Sequence, residues 1–267
     1  MPPRKVVYDK QTQLKQRKNK NKRRLTFTLI CLIIILVAIG IIISIIIFFK
    51  VDKLELQGKT IYSNEQIFSI SGIKKGQNLL SINKENISKA LCEKLPYIKS
   101  ADIELQPLST IIIHITADPP YSIAQSNGQF VIFDKSMKVL EVRKDNNMNT
   151  LTMIKGLNIQ GNNVGKRLQV TDKQYKLLLD FYNAIEVNNM DRTKINSFDI
   201  TDEYQLVIRY DNRINILVGT ETNLDFKLKT AKYIVTNKIG LTDKGKLDVS
   251  NADPNSSDAR NYFDPEA

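Results

Sequence analysis

The sequence predicts an α+β protein held by a single N-terminal transmembrane helix. Three observations predict it: 25 uncharged residues from Leu25 to Phe49, a β-α-α-β-β succession of patterns over residues 51–118, and a longer, mostly strand-like run with packed helices to residue 250.

The apolar run, LTFTLICLIIILVAIGIIISIIIFF, holds eleven Ile, four Leu, three Phe and one Val. As a helix rising about 1.5 Å per residue it reaches about 37 Å, enough to cross a hydrocarbon core of about 30 Å with some tilt. At roughly 0.3–0.6 kcal/mol for each large apolar residue, insertion is favoured by on the order of 6–11 kcal/mol. A cleaved signal peptide has a shorter apolar region, about 7–15 residues, and ends in a small-residue cleavage site. Here the run passes straight into Phe48-Phe49-Lys50, so residues 25–49 read as an uncleaved signal anchor.

Residues 1–24 carry ten Lys and Arg against one acid, Asp9, and so hold most of the chain's net charge of +11. The positive-inside rule places this basic arm in the cytoplasm and residues 51–267 outside the membrane. The arm lacks the interleaved aromatic residues on which bases would stack, so it reads as a topogenic, lipid-facing segment and not as a nucleic-acid surface. Within the span, Gly40 and Ser44 are small residues four apart, a candidate site for close approach of another helix.

The external part offers little to catalysis. Only Cys31, inside the span, and Cys92, outside it, are present, so no disulfide framework is expected. One histidine, His114, lies in the alternating strand pattern Ser109–Ala117, which leaves a His- or thiolate-based metal site or a Ser-His-Asp triad without its parts. The acids Asp199, Asp202 and Glu203 are close in sequence, but they fall in a turn between strands. Neither a cofactor nor enzymatic activity is expected.

In chain order, Val51–Gln57 suits a short strand. Ser63 with Gln66 forms a capping box for a helix that Gly72 ends, and Asn83 precedes a second helix over Lys84–Leu95. Strands over Ile98–Leu105 and Thr110–Ala117 complete a three-stranded sheet with two helices on one face. Beyond Pro120, strands are predicted at Tyr121–Gln125, Gln129–Phe133 and Lys138–Val142. The first two are joined by Asn127-Gly128, a strong hairpin signal because both residues accept positive φ. After a polar loop at Asp145–Thr150, Leu151–Ile154 resumes the sheet. A helix capped by Thr171 carries Leu177, Leu178, Phe181, Tyr182 and Ile185 at helical spacing. Strands at Ile195–Ile200, Tyr204–Tyr210 and Ile214–Val218 follow, then a helix after Asn223 and a short strand at Lys246–Val249. Residues 251–267, rich in Asp, Asn, Ser and Pro, read as a disordered tail.

The landmarks Gly58, Ser71-Gly72-Ile73, Gly76-Gln77-Asn78-Leu79-Leu80, Leu95-Pro96-Tyr97-Ile98, Ala101-Asp102-Ile103, Pro107 and Asp118-Pro119-Pro120 resemble, in this order, the POTRA domain of the FtsQ/DivIB bacterial division proteins. Asn127-Gly128, Phe133-Asp134, Val139-Leu140, Ile154-Lys155-Gly156-Leu157 and Gly165 continue the resemblance. Asp118 departs from it, since the family pattern carries Glu there, and so does Lys135-Ser136-Met137, which replaces a glycine turn. The resemblance implies a basic arm (1–24), an anchor (25–49), a POTRA domain (51–118), a β-rich second domain (119–250) and a tail (251–267).

Its implied function is a non-enzymatic divisome scaffold at the division septum that binds FtsL and FtsB/DivIC and helps control septal peptidoglycan synthases. The alternative is a membrane-anchored regulator of, or enzyme in, wall synthesis outside the septum. Gly245-Lys246-Leu247-Asp248-Val249 resembles a C-terminal strand that the family uses for partner contact. Tyr233, Lys246, Leu247, Asp248 and Val249 are therefore candidate partner-binding residues. Equally, Leu247 and Val249 can simply close the sheet from its core side.

Overall fold

An apolar run in lipid can satisfy its backbone only within itself, and helix α1 (Arg4–Phe48) is continuous through it. The computed structural model describes residues 4–106, 109–145, 150–255 and 261–266. Within α1, Leu25–Phe48 is long and apolar enough to cross a membrane, and none of it is buried against the rest of the chain. The helix ends one residue before the expected boundary, although the Phe49 N–H still donates to the Ile45 carbonyl at 3.1 Å.

The chain divides into two units: Met1–Glu55 with Ile73–Asn83 and Glu104–Ile112, and Leu56–Gly72 with Lys84–Ile103 and Ile113–Ala267. Strands β1 (Lys53–Gln57), β2 (Ile98–Gln106) and β3 (Thr110–Ala117) form the expected three-stranded sheet in the order β1-β3-β2. In the first unit, the chain leaving α1 is tied to the turn after Gly76. Val51 N–H donates to the Gln77 carbonyl at 2.8 Å, and Leu79 N–H to the Phe49 carbonyl at 2.9 Å. A short 3-10 turn, Leu79–Ser81, is capped by the Asn78 side chain, which accepts from Leu80 N–H at 2.8 Å. Sequence periodicity does not predict that turn.

In the second unit, helix α2 (Asn64–Ser71) opens on the predicted Ser63/Gln66 capping box and closes on Gly72 in the left-handed conformation. Helix α3 (Lys84–Lys94) buries Ile87 and Leu91. The same unit holds a nine-stranded mixed sheet. Its strands are β4 (Ser122–Ser126), β5 (Gln129–Phe133), β6 (Val139–Arg143), β7 (Thr152–Lys155), β8 (Ile195–Asp199), β9 (Leu206–Tyr210), β10 (Ile214–Gly219), β11 (Gly245–Asp248) and β12 (Tyr262–Pro265). They run in the order β12-β11-β10-β9-β8-β7-β4-β5-β6. The predicted hairpin joins β4 to β5 with Asn127 and Gly128 both at positive φ, as a primed turn requires.

Helices α4 (Asp172–Val187) and α5 (Leu224–Asn237) share the sheet's main hydrophobic core. Thr171 caps α4 as predicted, whereas Asn223 begins α5 in a left-handed conformation with no side-chain cap bond. Phe181 of α4 stacks on Phe198 of β8 with centroids 3.9 Å apart, and Tyr182 meets Tyr121 edge-on at 4.6 Å. Period-two alternation sends Val131 and Phe133 of β5 into this core, and Ile132 into a smaller cluster with Ile123 and Leu151.

Asp118, the residue that departs from the family pattern, is buried and pairs with Lys138 Nζ at 3.1 Å. Lys138 also donates to the Ile98 carbonyl at 2.8 Å. Nearby, burial raises the Asp134 carboxyl above its usual range, and bonds from Ser136 O–H and Lys138 N–H oppose that rise.

The expected disordered tail is corrected at Tyr262–Pro265, where β12 pairs antiparallel with β11. Residues 256–260 and 267 of that tail, and 107, 108 and 146–149 of the expected turns, lie outside the described residues.

Tyr182 is fully buried, and its O–H donates to Ser122 Oγ at 2.9 Å, also fully buried. Tyr182→Phe should cost about 1 kcal/mol, and Ser122→Ala should cost more, about 1–3 kcal/mol, because it strands the phenol O–H. The Tyr182→Phe/Ser122→Ala double variant should lose less than the sum. Denaturant midpoints of the three variants check this, and strict additivity would refute the coupling.

Candidate partner-binding edge

The C-terminal end of the sheet is built from the turn before β10 onward. Arg213 is buried, with Nε on Asp211 at 3.0 Å and Nη1 on the carbonyls of Gly240 (3.0 Å) and Asp243 (2.7 Å). A planar guanidinium with fixed donors can hold two carbonyls and a carboxylate at once. It fixes the loop after α5 and hence the entry of β11, whose Gly245 N–H donates to the Arg213 carbonyl at 3.1 Å.

β11 lies parallel to β10, with Ile216 opposite Leu247, and antiparallel to β12, with Leu247 opposite Phe263. Leu247 and Val249 are fully buried in the main core, while Lys246 is exposed and Asp248 half-buried. Thus Leu247 and Val249 close the sheet from its core side, and the strand that carries them is not the outermost one. β12 occupies that edge because its backbone groups complete the β11 ladder. Sequence reading misses β12 because Asn, Ser, Asp and Pro dominate the segment leading to it; Tyr262-Phe263, an aromatic pair in a polar tail, is the signal that could have found it.

The two ends of the sheet differ. At the β6 end, Val139 N–H donates to the Lys166 carbonyl and Gly165 N–H to the Val139 carbonyl, both at 2.8 Å, so the loop between β7 and α4 covers part of the edge. At the other end β12 is the last strand in the sheet order. Tyr262 is 66% exposed, and only Phe263 of this strand packs against the core. Tyr233, on the outer side of α5, is 55% exposed. Gly40 and Ser44 are both exposed on α1, where a Cβ added at Gly40 meets nothing within 4 Å.

The acids considered for catalysis are engaged in turns. Asp199 accepts from Thr201 N–H at 3.0 Å, Asp202 from Tyr204 N–H at 2.9 Å, and Glu203 pairs with Lys173. That hydrogen bond from Lys173 holds the Glu203 carboxyl below its ordinary range. His114 is half-buried on β3. Among the described residues no group of three or more His, Cys, Asp and Glu is placed to hold a metal ion.

An N-terminal helix long and apolar enough to cross a membrane, a β-α-α-β-β unit and a nine-stranded mixed sheet define the class: an α+β protein with a POTRA-type domain. Residues 49–116 match the POTRA domain of the FtsQ type. The chain is 25% identical to the cell division protein DivIB of Clostridium acetobutylicum over 204 residues, 76% of this chain and 80% of that protein. It is equally similar, at 25% over 206 residues, to DivIB of Clostridium botulinum strain Hall, covering 77% and 80%. With the cell division protein FtsQ of Corynebacterium glutamicum it shares 27% identity over 104 residues, 37% and 46% of the two chains. The particular proteins to which this chain is similar are thus cell division proteins named DivIB and FtsQ.

Gly245 is the residue that admits β12, since a Cβ there would lie 2.2 Å from the Asp264 carbonyl oxygen. Gly245→Ala should detach β12 at a cost of about 1–3 kcal/mol while leaving the main core intact. Hydrogen exchange should show lost protection at residues 262–266; unchanged protection there would refute the role of the glycine.

Proposed function

We propose that this protein is a non-enzymatic, membrane-anchored scaffold of the bacterial divisome. The basic arm is cytoplasmic and residues 51–267 extracytoplasmic, as a POTRA module over 51–118 and a β-rich module over 119–250, acting at the septum. Its relatives carry the name of cell division proteins, and its POTRA match is of the FtsQ type. The observation that carries the binding mode is the open strand β12 at the end of the sheet. A partner segment added there gains backbone hydrogen bonds without needing a pocket.

The partners are division proteins resembling FtsL and FtsB/DivIC, and septal peptidoglycan synthases are controlled through them. Lys246 and Asp248, on the strand paired with β12, and exposed Tyr233 of α5 contribute partner contacts, and Leu247 and Val249 support the edge from the core. Exposed Tyr262 supplies the aromatic anchor. Gly40 and Ser44 form a close-approach point for a partner's helix in the membrane.

A copy tagged at Met1 should form a midcell band only in dividing cells, and a uniform membrane signal from a functional copy would overturn the divisome assignment. Tyr262→Ala should weaken capture of the partner ectodomain about tenfold, the effect of one interface anchor. Deletion of residues 256–267 should abolish it. Full capture by the truncated, folded chain would move the docking site away from β12.

A further inference from the structure

We infer that the turn Gly76–Ser81 is a second membrane contact, seated on the anionic leaflet at the Phe49 end of the span through Leu80 and a fringe of lysines. The inference rests on reading α1 as a membrane span, and every residue it uses belongs to the first unit.

The turn is fastened to the chain just as it leaves the helix. Leu79 N–H donates to the Phe49 carbonyl at 2.9 Å, Val51 N–H to Gln77 at 2.8 Å and Gly76 N–H to Val51 at 2.7 Å, while Lys50 and Asn78 form an antiparallel bridge. Paired backbones lie about 5 Å apart and successive Cα atoms about 3.8 Å apart, so Leu80 is held within roughly 10 Å of the last residues of the span. That is the depth to which apolar residues of interfacial segments enter the boundary between headgroups and acyl chains, about 5–10 Å.

The two leucines of the turn are used differently. Leu79 is 3% exposed and Leu80 is 66% exposed, so the 3-10 turn buries one and presents the other. An exposed apolar side chain one residue from Leu79, whose N–H bonds the Phe49 carbonyl at the end of the span where Phe48 is itself 70% exposed, has the bilayer as its nearest apolar environment.

Charge selects the lipid. Over residues 50–53 and 73–80 the charged side chains are Lys50, Lys53, Lys74 and Lys75, all exposed, against Asp52, which pairs with Lys75 at 3.0 Å. A positive fringe around an apolar tip suits anionic headgroups.

The chain has no tryptophan, so one introduced residue reports alone. Full-length Leu80→Trp, reconstituted in phosphatidylcholine vesicles containing phosphatidylglycerol and a brominated lipid, should show blue-shifted emission quenched by the lipid and shielded from acrylamide. Phe49→Trp in the same vesicles reports whether the span itself is inserted. Adding Lys74→Glu and Lys75→Glu should lower the docked-to-undocked ratio of Leu80→Trp on the order of tenfold. Water-like emission from Leu80→Trp while Phe49→Trp is lipid-quenched would overturn the docking. Equal quenching in pure phosphatidylcholine would overturn its dependence on anionic lipid. Failure of lipid to quench Phe49→Trp would instead bring down the span reading, and the docking with it.

Discussion

An open β-sheet has two edges, and the backbone groups along each must find partners or remain exposed to any strand that passes. Much of the second unit is arranged around that constraint. Local hairpins order β4, β5 and β6 at one end, where the chain at Gly165–Lys166 folds back on Val139. At the other end the sheet is terminated by the C-terminal segment itself. β12 satisfies the ladder of β11 and leaves its own far side as the outermost backbone of the sheet.

The middle of the sheet is where that arrangement is secured. α4 sets Phe181 on Phe198 and Tyr182 on Tyr121, and each aromatic pair contributes about 0.5–1.5 kcal/mol beyond the area it buries. Arg192 adds its guanidinium over the Tyr121 ring, 4.6 Å from the centroid, while donating to the Tyr121 carbonyl at 3.0 Å. β12, in contrast, commits only half-buried Phe263 to the core. Opening free energies therefore fall from the α4 contacts toward the C-terminal rim, the gradient expected when local opening follows buried apolar contact.

Most of the fold was legible because its signals are local. The span, the Ser63/Gln66 box, the Thr171 cap and the Asn127-Gly128 turn each follow from a few neighbouring residues. Leu247 and Val249 were visible as apolar positions of a strand, but whether that strand lies inside or at the edge depends on a segment more than ten residues later. Propensity along the intervening Asn, Ser, Asp and Pro residues points away from structure, and tertiary pairing overrides it at Tyr262–Pro265. The 3-10 turn at Leu79–Ser81 escaped for the same reason: it is fixed by Phe49 and Val51, residues nearly thirty positions away.

The sheet edge at β12 and the turn near the end of α1 meet the same backbone rule in opposite ways. Where the chain leaves the helix, Phe49 and Val51 are engaged by the turn at 76–79, so the backbone there is satisfied and what remains exposed is a side chain, Leu80. At β12 Phe263 is drawn inward while Tyr262 stays exposed, and because the strand is the last in the sheet order its outer side is a strand edge. An exposed leucine with lysines around it can be matched by any anionic apolar boundary, because it demands no direction. An exposed strand edge can be matched only by another extended chain in register, because hydrogen bonds are directional. The first arrangement suits attachment to a surface without sequence, and the second suits recognition of a particular polypeptide.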